Sequence, residues 1–235
     1  MKKPNYRIYP TLLDAFNYYV APVKYLSEKE DAPSEQEITD KQFKELIDKI
    51  NRVPYETTEA QQKGCDFESL VNELLDGKPV ETVETQKNGT AYKYGANIFS
   101  KDIADRVTKE LTGCSTRSER ISTVLNTPVG LVELYGVMDY SFPGIQVDLK
   151  TTGKYDFLKY KDNTQHKVYP VIARENFILV DEFNYLVTDF KDVYVESYTF
   201  SFNLYDEVIA NICQFVDFIE QNRHLITDKK IFALD

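Results

Sequence analysis

Cysteine is scarce in this 235-residue chain, with three in all, Cys65, Cys114 and Cys213, and no two of them close together. That spacing leaves no CxxC pair. It excludes a disulfide framework and a four-cysteine zinc or iron–sulfur site within one chain. The three are expected to be small buried hydrophobes. Histidine is scarcer still: His166 and His224 are far apart, show no metal-ligand spacing, and are expected at the surface. No run approaches the length of about 18 apolar residues that a membrane span needs. The opening residues, Met1 to Tyr6, lack the apolar stretch of a secretory leader. Excess positive charge is missing too. The net charge is −10, which argues against a non-specific nucleic-acid coat protein, whose affinity comes from neutralising phosphates. A cytoplasmic protein is the expectation.

Apolar content is ample. Hydrophobic residues make up 42% of the chain and aromatics 13%, enough for a sizeable core and against wholesale disorder. Helical periodicity runs over Thr11–Leu26, through Phe43, Leu46, Ile47 and Ile50, over Thr57–Asp76 up to Gly77, and over Lys101–Leu111, with Ser100 as N-cap and Gly113 as stop. Residues 27–40 are acidic and read as a solvated loop. From Arg120 onward β-branched and aromatic residues dominate. Strands are expected at Ile121–Leu125, Val129–Tyr140, Ile145–Thr151, Val168–Ala173, Phe177–Thr188 and Val193–Phe202. A last amphipathic helix spans Leu204 to about Leu225. This order predicts an α/β (α+β) fold with a central mixed β-sheet flanked by helices. One domain is expected over 1–235, with a helical N-terminal part at 1–56 and a strand/helix extension at 176–235.

The densest chemistry lies between Gly136 and Thr152. Two apolar strands flank Pro143-Gly144, a pair that suits the central positions of a type II turn. If Phe142 and Ile145 close that turn, Asp139 faces Asp148 on one side of the sheet and Lys150 shares that side. Two opposed, part-buried carboxylates repel one another and lose hydration. A divalent cation offsets both costs, and hard oxygen ligands suit Mg2+ or Mn2+. The lysine would orient water or stabilise a developing negative charge. An exposed hairpin edge with solvated charges is the alternative.

These residues resemble the PD-(D/E)XK nuclease superfamily, in its RecB-type and lambda-exonuclease-type branches. Asp139 matches the first strand acid, Asp148 and Lys150 the (D/E)xK, and Gln165-His166-Lys167-Val168-Tyr169 the QxxxY motif. Gly64-Cys65-Asp66-Phe67-Glu68 is similar to the GxxxE of lambda-type enzymes, and Pro10 to Phe16 to the opening helix of RecB-type domains without its Cys-Pro. Together the motifs cover about residues 60–175.

The resemblance implies a restriction-endonuclease-like core and a metal-dependent DNA nuclease, an exonuclease of phage or mobile-element recombination or repair. Glu68, Asp139, Asp148 and the main chain of Leu149 would hold Mg2+ (or Mn2+), Lys150 would assist, and Gln165 and Tyr169 would support the site or touch DNA. No iron–sulfur cluster is implied, because the cysteines of that subgroup are missing. A recombination partner protein or a homo-oligomer would fit, and a membrane would not.

Between Lys150 and Arg174 six basic residues stand against two acids. Lys154, Lys159, Lys161 and Lys167 are therefore expected to contact nucleic acid, with Tyr155, Phe157 and Tyr160 stacking on bases or packing under a loop. Other readings stay open: Glu68 as an ordinary helix-surface acid, Tyr169 as plain core, Gln165 as a loop residue, and the whole chain as a non-catalytic module binding nucleic acid or protein on the same fold.

Overall fold

The computed structural model describes residues 3–21, 34–86 and 89–234. In chain order the elements are β1 (Tyr6–Ile8), α1 (Pro10–Val20), α2 (Glu35–Ile50), α3 (Glu59–Leu75), β2 (Thr82–Thr85), β3 (Gly89–Tyr94), β4 (Asn97–Ser100), α4 (Lys101–Leu111), β5 (Thr116–Thr127), β6 (Gly130–Phe142), β7 (Gly144–Thr151), α5 (Gln165–Glu175), β8 (Val180–Thr188), β9 (Val193–Thr199) and α6 (Asn203–Gln221), followed by two short 3-10 turns. The fold is mixed α/β, around a six-stranded mixed sheet with a separate three-stranded sheet, β2-β3-β4.

Local chemistry explains several boundaries. Ser34 with Glu37, and Thr58 with Gln61, form capping boxes that start α2 and α3. Proline at the first position of α1 costs nothing, since its missing N–H would have been unpaired there anyway. Pro143 and Gly144 turn β6 into β7, and Gly144 has the positive φ of +80° that the second position of a type II turn demands.

Alternation sends each strand's side chains to two cores. On one face, Phe183, Tyr185 and Val187 of β8 pack with Leu12 and Phe16 of α1, Leu46 of α2, Val168 and Ile172 of α5, and Ile212 and Phe215 of α6. On the other, Val147 and Leu149 of β7 and Leu186 of β8 pack with Phe67, Leu70 and Val71 of α3, Val107 and Leu111 of α4, and Tyr92 and Phe99 of the small sheet. Helices cover both faces.

β7 and β8 pair in parallel, which obliges the chain to cross back over the sheet between them. That crossover is α5. Residues 168–173, expected as a strand, are therefore helical. Pro170 removes one helical hydrogen bond, but Val168, Tyr169, Val171, Ile172 and Ala173 are all buried, and their packing outweighs the local cost.

Other expectations shift as well. The acidic stretch at 27–40 is helical from Glu35, while residues 27–33 lie outside the described residues, as do 22–26 of the first expected helix. β8 starts at Val180 rather than Phe177, and β9 stops at Thr199. Ser100 ends β4 and makes no capping bond to α4. His166 is buried and stacks on Tyr198, with ring centroids 3.9 Å apart, because it sits in the first turn of the crossover helix. Cys65 is exposed and Cys114 and Cys213 are half-buried, so the cysteines are not core residues. Among the described residues no helix is long and apolar enough to cross a membrane.

A candidate active site at a fork in the sheet

β6 changes partner along one edge. Val132 to Leu134 pair with β1, and Tyr140 to Phe142 pair with β7, while β5 runs along the strand from Gly130 to Ser141. Between Leu134 and Tyr140 the edge opens as a fork. The pairing of Phe142 with Ile145 and Tyr140 with Val147 is the expected register. The ladder stops one residue short of joining Asp139 to Asp148. The irregularity shows on the β5 side too: Arg117 pairs with Tyr140 and Glu119 with Met138, and Ser118 between them is left unpaired at φ +49°. Met138 points into the first core and Tyr140 into the second, so the strand twists sharply at Asp139.

Main-chain groups at the fork are met by side chains. Asp139 Oδ2 accepts from the Leu149 N–H at 3.0 Å, and the Tyr169 hydroxyl donates to the Val137 carbonyl at 3.0 Å. Leu149 itself turns its side chain into the second core and leaves its main chain at the site.

Asp148 is the centre of the cluster and is buried, with 2% exposure. Its Oδ1 accepts from Gln165 Nε2 at 2.6 Å. Its Oδ2 lies 2.7 Å from Lys150 Nζ, an ion pair that compensates the charge of this buried oxygen. Burial pushes the Asp148 carboxyl above its ordinary range, and Lys150 and Gln165 pull it back. Asp139 is pushed up to about 8, first by burial and then by the charges of Asp148 and Glu68. Glu68 on α3 is half-buried and raised as well, by burial and then by Asp148. It is no ordinary surface acid: three carboxyls repel one another across the fork, with Lys150 as the cation among them.

Glycine makes the close approach of two elements feasible. A Cβ on Gly64 would come within 2.7 Å of Thr151 Oγ1, so this glycine lets α3 touch the end of β7 and bring Glu68, one turn on, to the acids. A Cβ on Gly136 would lie 2.6 Å from the Tyr169 ring. Gly136→Ala is expected to destabilise the fold by ~1–3 kcal/mol through overpacking. Denaturant titration checks this, and in a Tyr169→Ala background most of that cost should vanish. An equal cost in both backgrounds would show that Gly136 does not make room for the tyrosine.

Gln165 and Tyr169, four residues apart on α5, face the site together as the sequence motif implies. Tyr169 is core and site at once. Asp14 was not singled out from the sequence. Its Oδ1 accepts from the Thr164 N–H at 2.6 Å, and so ties α1 to the start of α5 just before Gln165. Asp14 is raised by burial and feels both Lys150 and Lys49. An acid inside an apolar helical stripe was the only available signal.

Several residues of the expected basic stretch make contacts within the protein. Lys154 pairs with Asp156, Lys159 donates to Thr152 Oγ1 and the Lys154 carbonyl, and Lys167 pairs with Glu207. Lys161 is exposed. Tyr155 stacks on Tyr194 and Tyr160 packs on Tyr185, while Phe157 is open to solvent. Lys154 and its partner Asp156 both remain largely exposed, and Lys161 and Phe157 are open to solvent.

Among the described residues no three His, Cys, Asp or Glu side chains stand ready-arranged to hold a metal ion. The chemistry of the donors is nevertheless that of hard oxygen ligands: the charge of Asp148 reaches the carboxyls of both Asp139 and Glu68 and raises them.

Fold and site thus define a mixed α/β protein with an acid–acid–lysine cluster at a forked sheet. No family model matches the chain, and no curated protein matches it. Among solved structures, the crystal structure of SSO0001 is similar with a TM-score of 0.48 and 11% identity, covering 93% of this chain and 78% of that chain.

Proposed function

We propose that the protein is a metal-dependent nuclease of the PD-(D/E)XK type, hydrolysing phosphodiester bonds in DNA. The observation that carries this reading is the buried Asp148, held between Gln165 and Lys150 at a place where Asp139 and Glu68 add two more carboxyls. Three mutually repelling acids destabilise a fold unless something else uses them.

Asp139, Asp148 and Glu68, with the main chain of Leu149, would hold Mg2+ or Mn2+. The bound ion would lower the pKa of a water and offset charge on the phosphoryl group. Lys150 stabilises the anion that develops at phosphorus or orients the attacking water. Gln165 fixes the rotamer of Asp148, and Tyr169 holds the fork open by occupying the Val137 carbonyl. Exonuclease action in phage or mobile-element recombination or repair, in the cytoplasm, beside a recombination protein or as a homo-oligomer, completes the proposal.

The test is digestion of linear double-stranded, linear single-stranded and supercoiled DNA by highly purified protein in Mg2+ or Mn2+, with EDTA as control. Cleavage that depends on metal supports the reading. Intact DNA in every arm would overturn it. A second reading, a non-catalytic binding module on the same fold, is favoured by one observation: Asp148 and Asp139 already have protein partners. Calorimetry separates the two, since the module takes up no divalent cation.

A further inference from the structure

β9 lies at the edge of the large sheet, and the one residue of it that is buried is a glutamate. Glu196 is 3% exposed, at an inward position that would suit an apolar side chain. The donors it meets are neutral. Its Oε2 accepts from the Tyr155 hydroxyl at 3.1 Å, and its Oε1 accepts from the Tyr160 N–H at 3.0 Å and from the Tyr198 hydroxyl. A carboxylate taken out of water is tolerated only where such donors replace its hydration. Two of these three donors belong to the segment that joins β7 to α5.

That segment borders the acids. It leaves the sheet directly after Lys150 and Thr151 and returns at Gln165. Tyr185 pairs with Asp148 of β7 on one side and with Glu196 of β9 on the other, so Glu196 stands two strands, about 10 Å, from Asp148 on the same face. The Tyr160 ring packs on Tyr185 with centroids 5.1 Å apart and feels the charges of both Asp148 and Glu196, and Tyr155 stacks on Tyr194 at 4.5 Å. The middle of the segment is turned outward. Phe157 is 86% exposed, Lys161 is exposed, and Leu158 is held at φ +56°, which a leucine rarely adopts. We infer that Glu196 is a positioning residue: it fixes residues 152–163 in one conformation, so that Phe157 and Lys161 meet the polynucleotide beside Asp148 without first having to be ordered. This inference rests on the nuclease reading and adds to it a residue of the far edge strand that sets how tightly substrate is held.

The test separates binding from cleavage. Fluorescence anisotropy with labelled single-stranded and duplex DNA, in Ca2+ in place of Mg2+, compares wild type with Glu196→Ala and Glu196→Gln. Glu196→Ala should weaken binding by about tenfold, the cost of ordering two side chains on binding, and tryptic cleavage at Lys154, Lys159 and Lys161 should be at least about tenfold faster. Glu196→Gln keeps an acceptor for Tyr160 and Tyr198 and can donate to the Tyr155 oxygen, so it should stay within about threefold of wild type in both assays. In Mg2+, Glu196→Ala should raise KM about tenfold and leave kcat within about threefold. Phe157→Ala should weaken binding too, and in that background Glu196→Ala should cost less than it does alone. If circular dichroism shows Glu196→Ala unfolded, Tyr155→Phe replaces it: this variant keeps the ring stack, loses one of the three bonds, and should weaken binding at least about threefold. Unchanged binding by the folded variant, a loss confined to kcat, or a Gln variant as weak as the Ala variant overturns the role of Glu196 even if the protein cuts DNA. Glu196-dependent binding by a protein that never cuts supports that role and overturns the nuclease reading instead. A wild type that binds neither form of DNA overturns both.

Discussion

Asp148→Asn is expected to lower metal-dependent DNA cleavage by about 10³-fold or more while leaving the protein folded. Asparagine keeps the volume of the side chain and its bond from Gln165 but removes the charge that a cation and Lys150 both need. The substitution removes a metal ligand and a counter-charge together, so the loss should exceed the 10²–10³ typical of one preorganised electrostatic contact. Lys150→Ala should approach the same loss by a different route. It also leaves Asp148 buried beside two other carboxyls with no cation, so it should bind Mg2+ at least as well as wild type. Single-turnover cleavage and calorimetry on both variants check this. Cleavage that survives in both would mean that the cluster is not the active site.

Saturating Mg2+ should raise the melting temperature by about 5–10 °C at pH 8. A ligand at a hundred times its Kd contributes ~2.7 kcal/mol, and a chain of this size gains about 2–4 °C per kcal/mol. The pH dependence has a defined sign. Folded Asp139 keeps its proton up to about pH 8, whereas the unfolded side chain loses it near 3.8. Between those values the folded state binds more protons, so metal-free stability falls as pH rises through that window and the penalty is complete above it. Asp139→Asn should flatten this decline, stabilise the metal-free protein at pH 8 by ~1–3 kcal/mol, and abolish most of the stabilisation by Mg2+. Differential scanning fluorimetry from pH 5 to 9, with and without Mg2+, reads all three. A wild-type melting curve that rises from pH 5 to 8 in EDTA would refute the crowding of these carboxyls.

Residues 101–111 and 144–151 show how much local pattern carries. Their apolar spacing, and the turn chemistry of Pro143-Gly144, placed α4 with its observed limits, β7 to within one residue at its start, and the hairpin register. Capping boxes at Ser34 and Thr58 were equally legible, and they would have removed the loop drawn over residues 35–40. The small sheet β2-β3-β4 and the three-residue β1 were not legible, because such short strands carry too few alternations to stand out. α5 was misread locally for another reason: β-branched residues and a proline disfavour a helix by propensity, and burial against the sheet decided otherwise.

The sequence by itself determined which chemistry is present. Two acids and a lysine at alternate strand positions, a glutamate four residues after a glycine, and a Gln and Tyr one turn apart are fixed by covalent order. The tertiary structure alone decided where they meet. The fork at Asp139 exists because β6 exchanges β1 for β7, and Glu68 and Gln165 reach Asp148 from opposite helical layers. It also decided that Lys154 and Lys167 lie beside Asp156 and Glu207. Side-chain convergence of this kind depends on contacts between residues far apart in the chain, and no local spacing encodes those distances.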